Sequence, residues 1–284
     1  MPLINLTQAQ VLVDGLDHPE GVTVGQDGTL YAGGEAGQVY RIDLATRTFT
    51  QFADTGGLNL GPAADADANL YICNGGQRVV NRVTPAGDVT VYSAGNSDRA
   101  MRTPNYPAFG PDGTLYVADS GDWHEDNGCI WAIAPGGATT VVDATCASFP
   151  NGCVVSPDGD WLYVAMSVNP PRVVRFPIAD GRKTGAAETV VELPHTVPDG
   201  LAFCADGSLL VACYRPDTIF RVTPDGTVHV LMDDYEGTLL GAPTNVVFAG
   251  PERNVLVWAN LGRWHLGMHP ATGLQGAPLF YPRL

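Results

Sequence analysis

Hydrophobic and polar positions along this chain fall into one phrase that returns six times: a turn-forming opening, a short apolar run, a tight turn and a second apolar run. The copies read HPEGVTVGQDGTLYAGG from His18, NLGPAADADANLYICN from Asn59 and TPNYPAFGPDGTLYVAD from Thr103. FPNGCVVSPDGDWLYVA from Phe149, VPDGLAFCADGSLLVAC from Val197 and PTNVVFAGPERNVLVWAN from Pro243 complete the set. Short apolar runs bounded by Gly, Pro and Asp read as strands, and Asp-Gly between two of them predicts a hairpin because glycine accepts positive φ without steric cost. A second alternating hairpin follows in several copies, as in VVNRVTPAGDVTVY from Val79 and IFRVTPDGTVHVL from Ile219, with a longer turn in QVYRIDLATRTFTQF from Gln38. No long stretch carries the spacing of an amphipathic helix.

Two hairpins make four strands per repeat. A pivot residue opens each copy at Glu20, Leu60, Asn105, Asn151, Asp199 and Asn245, at intervals of 40, 45, 46, 48 and 46 residues. Four-stranded units of this period predict an all-β fold, a six-bladed β-propeller with four antiparallel strands per blade and a central channel. A sandwich needs no sixfold repeat, and the coils of a β-helix are shorter. No linker or charge block interrupts the repeats, so residues 1–284 read as one domain. The N-terminal VLVDGL is expected to pair with C-terminal strands and close the ring, removing exposed strand edges.

Propeller topology puts every pivot at the start of an innermost strand, where the six converge on the channel. The loops after the second strands share that face: ADSGDWHEDNGC from Ala118, AMSVNPPR from Ala165, CYRPD from Cys213 and ANLGRWHLGMH from Ala259. A pocket is expected there, with Tyr106, Trp123, Trp264, His124 and His265 around its mouth.

Charge narrows the partners. Fifteen basic against thirty acidic residues give a formal charge of -15, a surface that repels phosphate backbones and anionic lipid. Nucleic acid and membrane are therefore not expected as partners, and a small molecule is. The N-terminus shows no basic region followed by a long apolar run, and no segment approaches a bilayer span. The six cysteines lack zinc-site spacing and sit mostly in apolar runs, as small core residues do. Cys146 and Cys153 flank one pivot, but the expectation is a cytoplasmic protein with reduced thiols.

Glu20, Asn105, Asn151, Asp199 and Asn245 bring two carboxylates and three amides toward one axis. Crowded without compensation, the two carboxylates repel each other and lose solvation. A hard divalent cation resolves both costs. Carboxylate and amide oxygens suit Ca²⁺ best, with Mg²⁺ and Mn²⁺ open and Zn²⁺ less natural without His or Cys. Taken singly, Asn151-Gly152 and Asp199-Gly200 also read as ordinary turn pairs. Leu60, the exception, is expected to line an apolar wall.

The HPEG around Glu20, the PN before PDGTLYVAD at Asn105, the PNG before SPDG at Asn151 and the PDG at Asp199 resemble the senescence marker protein/gluconolactonase family. That family includes regucalcin, sugar-acid lactonases and, more distantly, diisopropyl fluorophosphatase. The resemblance covers nearly the whole chain and implies one catalytic divalent cation in the channel. It implies Glu20, Asn151 and Asp199 as metal ligands, and Asn105 as a residue that contacts substrate or completes the metal shell. Arg102 departs from the pattern: family lactonases can place an arginine two residues before the matching asparagine, and here Thr103 and Pro104 intervene. With Tyr106, Trp123 and His124 it completes the candidate substrate contacts. If the aromatics face the channel, they favour a flatter or more apolar ester over a polyol.

These residues together point to metal-dependent opening of a lactone, sugar-acid or aromatic, with Asp199 as general base. No G-x-S-x-G elbow supports a serine nucleophile. The alternatives are phosphotriester or fluorophosphate hydrolysis on the same platform, and a non-catalytic calcium-binding propeller.

Overall fold

The structure, a computed structural model, describes residues 2–284 and is a six-bladed β-propeller. Blade 1 runs outward from the axis through Val22–Val24, Leu30–Gly33, Gln38–Asp43 and Thr48–Asp54, and blade 2 through Asn59–Ala64, Leu70–Asn74, Val79–Val83 and Val89–Ser93. Blade 3 comprises Pro104–Phe109, Leu115–Asp119, Cys129–Ile133 and Thr139–Asp143. Blade 4 comprises Pro150–Val155, Trp161–Met166, Arg172–Ala179 and Glu188–Glu192, with the short Arg182–Lys183 also paired to its third strand. Blade 5 is Val197–Phe203, Leu209–Arg215, Thr218–Val222 and Val228–Asp233. The only helical turn among the described residues is the 3-10 turn Leu6–Gln8.

Blade 6 is where the ring closes. Its inner three strands, Pro243–Ala249, Val255–Asn260 and His265–His269, come from the C-terminal part of the chain, and its outermost strand is the N-terminal Gln10–Asp14. That strand pairs antiparallel, with Val13 opposite Leu266 and Asp14 opposite His265, as the apolar VLVDGL segment predicts. An N-terminal strand and three strands from the C-terminal part of the chain thereby share one sheet.

The core is divided rather than single. Six buried clusters lie one between each pair of adjacent blades; Tyr116, Ile130, Leu162 and Phe176, for example, join blades 3 and 4. Second strands such as Leu115–Asp119 are buried throughout, because both their faces meet neighbouring blades. Outermost strands such as Thr48–Asp54 are largely exposed and carry the polar alternation seen in the sequence.

Candidate metal centre

The inner strands start under a shared constraint. In blades 4 and 5 the register with the second strand steps from Pro150 to Cys153 and from Pro198 to Leu201, so Asn151-Gly152 and Asp199-Gly200 form bulges rather than turns. A bulge re-aims a side chain that regular pleating would direct elsewhere. The glycines are required by the next blade: a Cβ on Gly152 would lie 2.2 Å from the Asp199 carbonyl, and one on Gly200 2.6 Å from the Thr244 carbonyl. His18, Phe149 and Ala242, each just before a proline, turn into their strands with φ of +41°, +54° and +60°.

Two asparagines are oriented by a repeated device. Asn105 Nδ2 donates to Ser120 Oγ at 3.1 Å, and Ser120 Oγ donates to the Pro150 carbonyl of the next blade at 2.8 Å. Asn151 Nδ2 donates to Ser167 Oγ at 3.3 Å, and Ser167 Oγ donates to the Pro198 carbonyl at 2.7 Å. With each amide nitrogen taken up by a serine, the amide oxygen is left for the channel; Asn151 Oδ1 is buried with no partner. Asn245 is turned the other way. Its Oδ1 accepts from the Tyr106 hydroxyl at 3.2 Å, while its Nδ2 is buried, unpartnered and packed against Gly200 beside Asp199.

The carboxylates carry the electrostatic signature of the site. Glu20, held from blade 6 by the Thr244 hydroxyl donating to its carbonyl at 2.6 Å, is pushed up to about 8 by burial and by the neighbouring Glu35 carboxylate. Burial and the Glu20 carboxylate raise Asp199 well above the ordinary carboxylate range, against a smaller opposing effect of the Asn151 amide. Glu20 Oε2 is enclosed without a hydrogen-bond partner. Two buried acids without a basic partner, beside an orphaned amide oxygen, are a donor set that fits a hard divalent cation. Glu20, Asn151 and Asp199 are the residues that would hold such an ion.

Tyr106 does not stand at the mouth, where the sequence places it. Its ring lies against Gly61 of blade 2, and its hydroxyl reaches the Val22 carbonyl (3.3 Å) and Asn245 Oδ1 (3.2 Å). The side chain therefore bars the channel from blade 3 to blades 6 and 1, forming a floor under the pivot ring. His265 is likewise interior: it is 5 % exposed and its Nε2 lies 3.0 Å from the Leu239 carbonyl. Leu60 packs into the core between blades 2 and 3 rather than lining the site.

The rim holds the remaining candidates. Arg102 pairs with Asp122 at 2.9 Å, both well exposed. Its backbone N–H and that of Thr103 donate to the buried Asp119 carboxylate, which fixes the approach to Asn105. Trp123 is half exposed and meets His124 and Phe149 with ring centroids 4.7 and 4.6 Å away; Trp264 is exposed beside His18. Sequence reasoning missed Ser120 and Ser167, although both follow an aligned second strand (YVADS, YVAMS). It also missed Glu35 at the matching position of blade 1, whose Oε2 lies 2.9 Å from His18 Nδ1, with Asp17 completing a small acidic cluster at the lip.

With this geometry in view, the description SMP-30/Gluconolactonase/LRE-like region matches residues 18–259. The chain belongs to this family. Members of known structure share the architecture of this SMP-30/gluconolactonase chain at low identity. A gluconolactonase from Xanthomonas campestris is 20 % identical, with 94 % of this chain and 89 % of that one covered and a TM-score of 0.78. The calcium-binding protein regucalcin from Agrobacterium tumefaciens is 23 % identical, with 96 % and 97 % covered and a TM-score of 0.79. A luciferin-regenerating enzyme is 15 % identical, with 97 % and 99 % covered and a TM-score of 0.80. No curated protein matches the chain significantly. At these identities the structural likeness speaks for the fold, and the chemistry rests on the residues.

Proposed function

We propose that this protein is a divalent-metal-dependent lactonase, with the cation held by Glu20, Asn151 and Asp199 at the top of the channel. One observation carries the reading: two buried carboxyls raised by burial and by neighbouring acids, with Glu20 Oε2 and Asn151 Oδ1 lacking any partner. Membership of a family named for gluconolactonase supports a small cyclic ester as substrate. Ca²⁺ suits the all-oxygen donors best, and the regucalcin relative is described as calcium-binding. Six unpaired, buried cysteines fit a reducing, cytoplasmic setting.

A divalent ion in this position supplies polarisation of the ester carbonyl and acidification of water. The protein's own groups supply the rest. Asp199, freed of its proton when the cation is bound, takes the proton of the attacking water as general base. Asn105, held by Ser120, orients the carbonyl; Arg102 and the Trp123–His124 loop bound the rim where the rest of the substrate lies. The floor formed by Tyr106 keeps the lactone at the level of the ring.

The test is turnover of a panel of sugar-acid and aryl lactones by chelator-treated protein, with Ca²⁺, Mn²⁺, Mg²⁺ or Zn²⁺ restored in turn. Hydrolysis that requires an added cation and is lost in Asp199→Asn supports the reading. Absence of turnover on every ester with every cation rejects it.

A further inference from the structure

One polar group of the channel is left over once the donors for a cation are assigned: the amide nitrogen of Asn245. The residue is 1 % exposed, and its Nδ2 is buried with no hydrogen-bond partner. Leaving a buried N–H unpaired is costly, and such groups are rare outside sites that use them. The nitrogens of Asn105 and Asn151, by contrast, are taken up by Ser120 and Ser167.

Strand register places this donor. In blade 3 the pairing steps from Pro104–Asp119 to Tyr106–Ala118, with Asn105 in the bulge. In blade 6 it steps from Pro243–Asn260 to Asn245–Ala259, with Thr244 in the bulge. Asn245 therefore matches Tyr106 rather than Asn105, and stands in the floor of the site. Across the axis the Tyr106 hydroxyl donates to Asn245 Oδ1 at 3.2 Å, which leaves the nitrogen facing blade 5. Gly200 admits it there, because a Cβ on Gly200 would lie 2.5 Å from Asn245 Nδ2. The donor thus adjoins the Asp199-Gly200 bulge, where a neighbouring carboxyl favours the N–H side of an amide over its carbonyl side.

The charge pattern gives this N–H a task. Glu20, Asp199 and the Asn151 amide oxygen are all acceptors, and neither acid has a basic residue beside it. Ester hydrolysis nevertheless moves negative charge onto the carbonyl oxygen. The water oxygen bonds to the carbonyl carbon, its proton passes to Asp199, and the C=O π pair moves onto the carbonyl oxygen. When the ring C–O bond breaks, that pair re-forms the carbonyl and the proton goes to the departing ring oxygen. A fixed N–H at the place where the charge appears needs no reorganisation during the reaction.

We propose that Asn245 is a catalytic residue of this site: its Nδ2 donates to the lactone carbonyl oxygen as negative charge develops there. Tyr106 is the positioning residue that fixes the amide for this purpose. The assignment rests on the lactonase reading above.

The test pairs a binding measurement with kinetics. Calorimetric titration with Ca²⁺ and then with methylphosphonate, a tetrahedral anion shaped like the charged adduct, requires no turnover. Asn245→Leu should bind Ca²⁺ as the wild type does and methylphosphonate about tenfold more weakly. On a hydrolysed lactone its kcat should fall about 100-fold with KM nearly unchanged. Tyr106→Phe keeps the amide but frees it to rotate, and should show a smaller loss of both kcat and phosphonate affinity. Should the leucine variant not fold, Asn245→Asp retains the shape and the Tyr106 bond, lacks the donor, and should lose phosphonate binding. Wild-type phosphonate affinity or kcat in these variants overturns the role of Asn245, as does weakened Ca²⁺ binding by Asn245→Leu, which would make the residue a ligand or a prop. Absent turnover in the wild-type protein, by contrast, rejects the lactonase reading and the catalytic role with it.

Discussion

At the scale of single residues, the site is set by which amide atom each pivot turns inward. Ser120 and Ser167 decide this for Asn105 and Asn151 by accepting from their Nδ2 atoms. Ser167→Ala is therefore expected to lower divalent affinity about tenfold, in the range typical of outer-sphere partners, while leaving the melting temperature nearly unchanged. Calorimetric titration against a thermal scan separates the two effects. Glu20→Gln should lower affinity by about two orders of magnitude or more, since it removes a charged ligand from a site with only one other. The pivots themselves were legible in the sequence because oxygen-bearing side chains recur at one point of the repeat. Their orienting serines were not, because a serine after an apolar strand has no signature until the neighbouring Pro150 and Pro198 carbonyls are in place. Tyr106 was misplaced for a related reason: its position beside a pivot is visible, whereas its reach across the channel depends on Gly61 leaving room for the ring.

At the scale of elements, hairpins, strand order and ring closure followed from alternation and Asp-Gly turns, which are local signals. The bulges did not. Asn151-Gly152 and Asp199-Gly200 have turn-like sequences, and only the approach of the next blade shows that they lie inside strands. Gly152→Ala would set a Cβ 2.2 Å from the Asp199 carbonyl, a backbone atom that cannot move aside without shifting Asp199 itself. The expected result is a loss of about 3 kcal/mol or more of stability, together with loss of divalent binding. Urea denaturation measures the first and calorimetry the second. Wild-type values for both would show that the inner strands are not packed as described.

For the whole molecule, the propeller concentrates two acids at an axis where no basic residue answers them, so metal-free stability must depend on pH. Glu20 stands at about 8 in the folded chain against 4.5 as its ordinary value. Its protonated form contributes stability that is fully present below 4.5 and is lost as pH rises through about 8. Asp199, raised in the same direction, adds to this slope. The melting temperature of chelator-treated protein should therefore fall between pH 5 and pH 8, less steeply in Glu20→Gln, and a divalent cation should flatten the curve by favouring the ionised carboxylates. The most direct measurement of the central claim is calorimetric titration of the metal-free protein with Ca²⁺ at pH 7, in two buffers of different ionisation enthalpy. One ion bound per chain, with proton release to the buffer and with binding lost in both Glu20→Gln and Asp199→Asn, is the predicted result. No binding, or binding that survives both substitutions, would contradict a metal centre at the top of this channel.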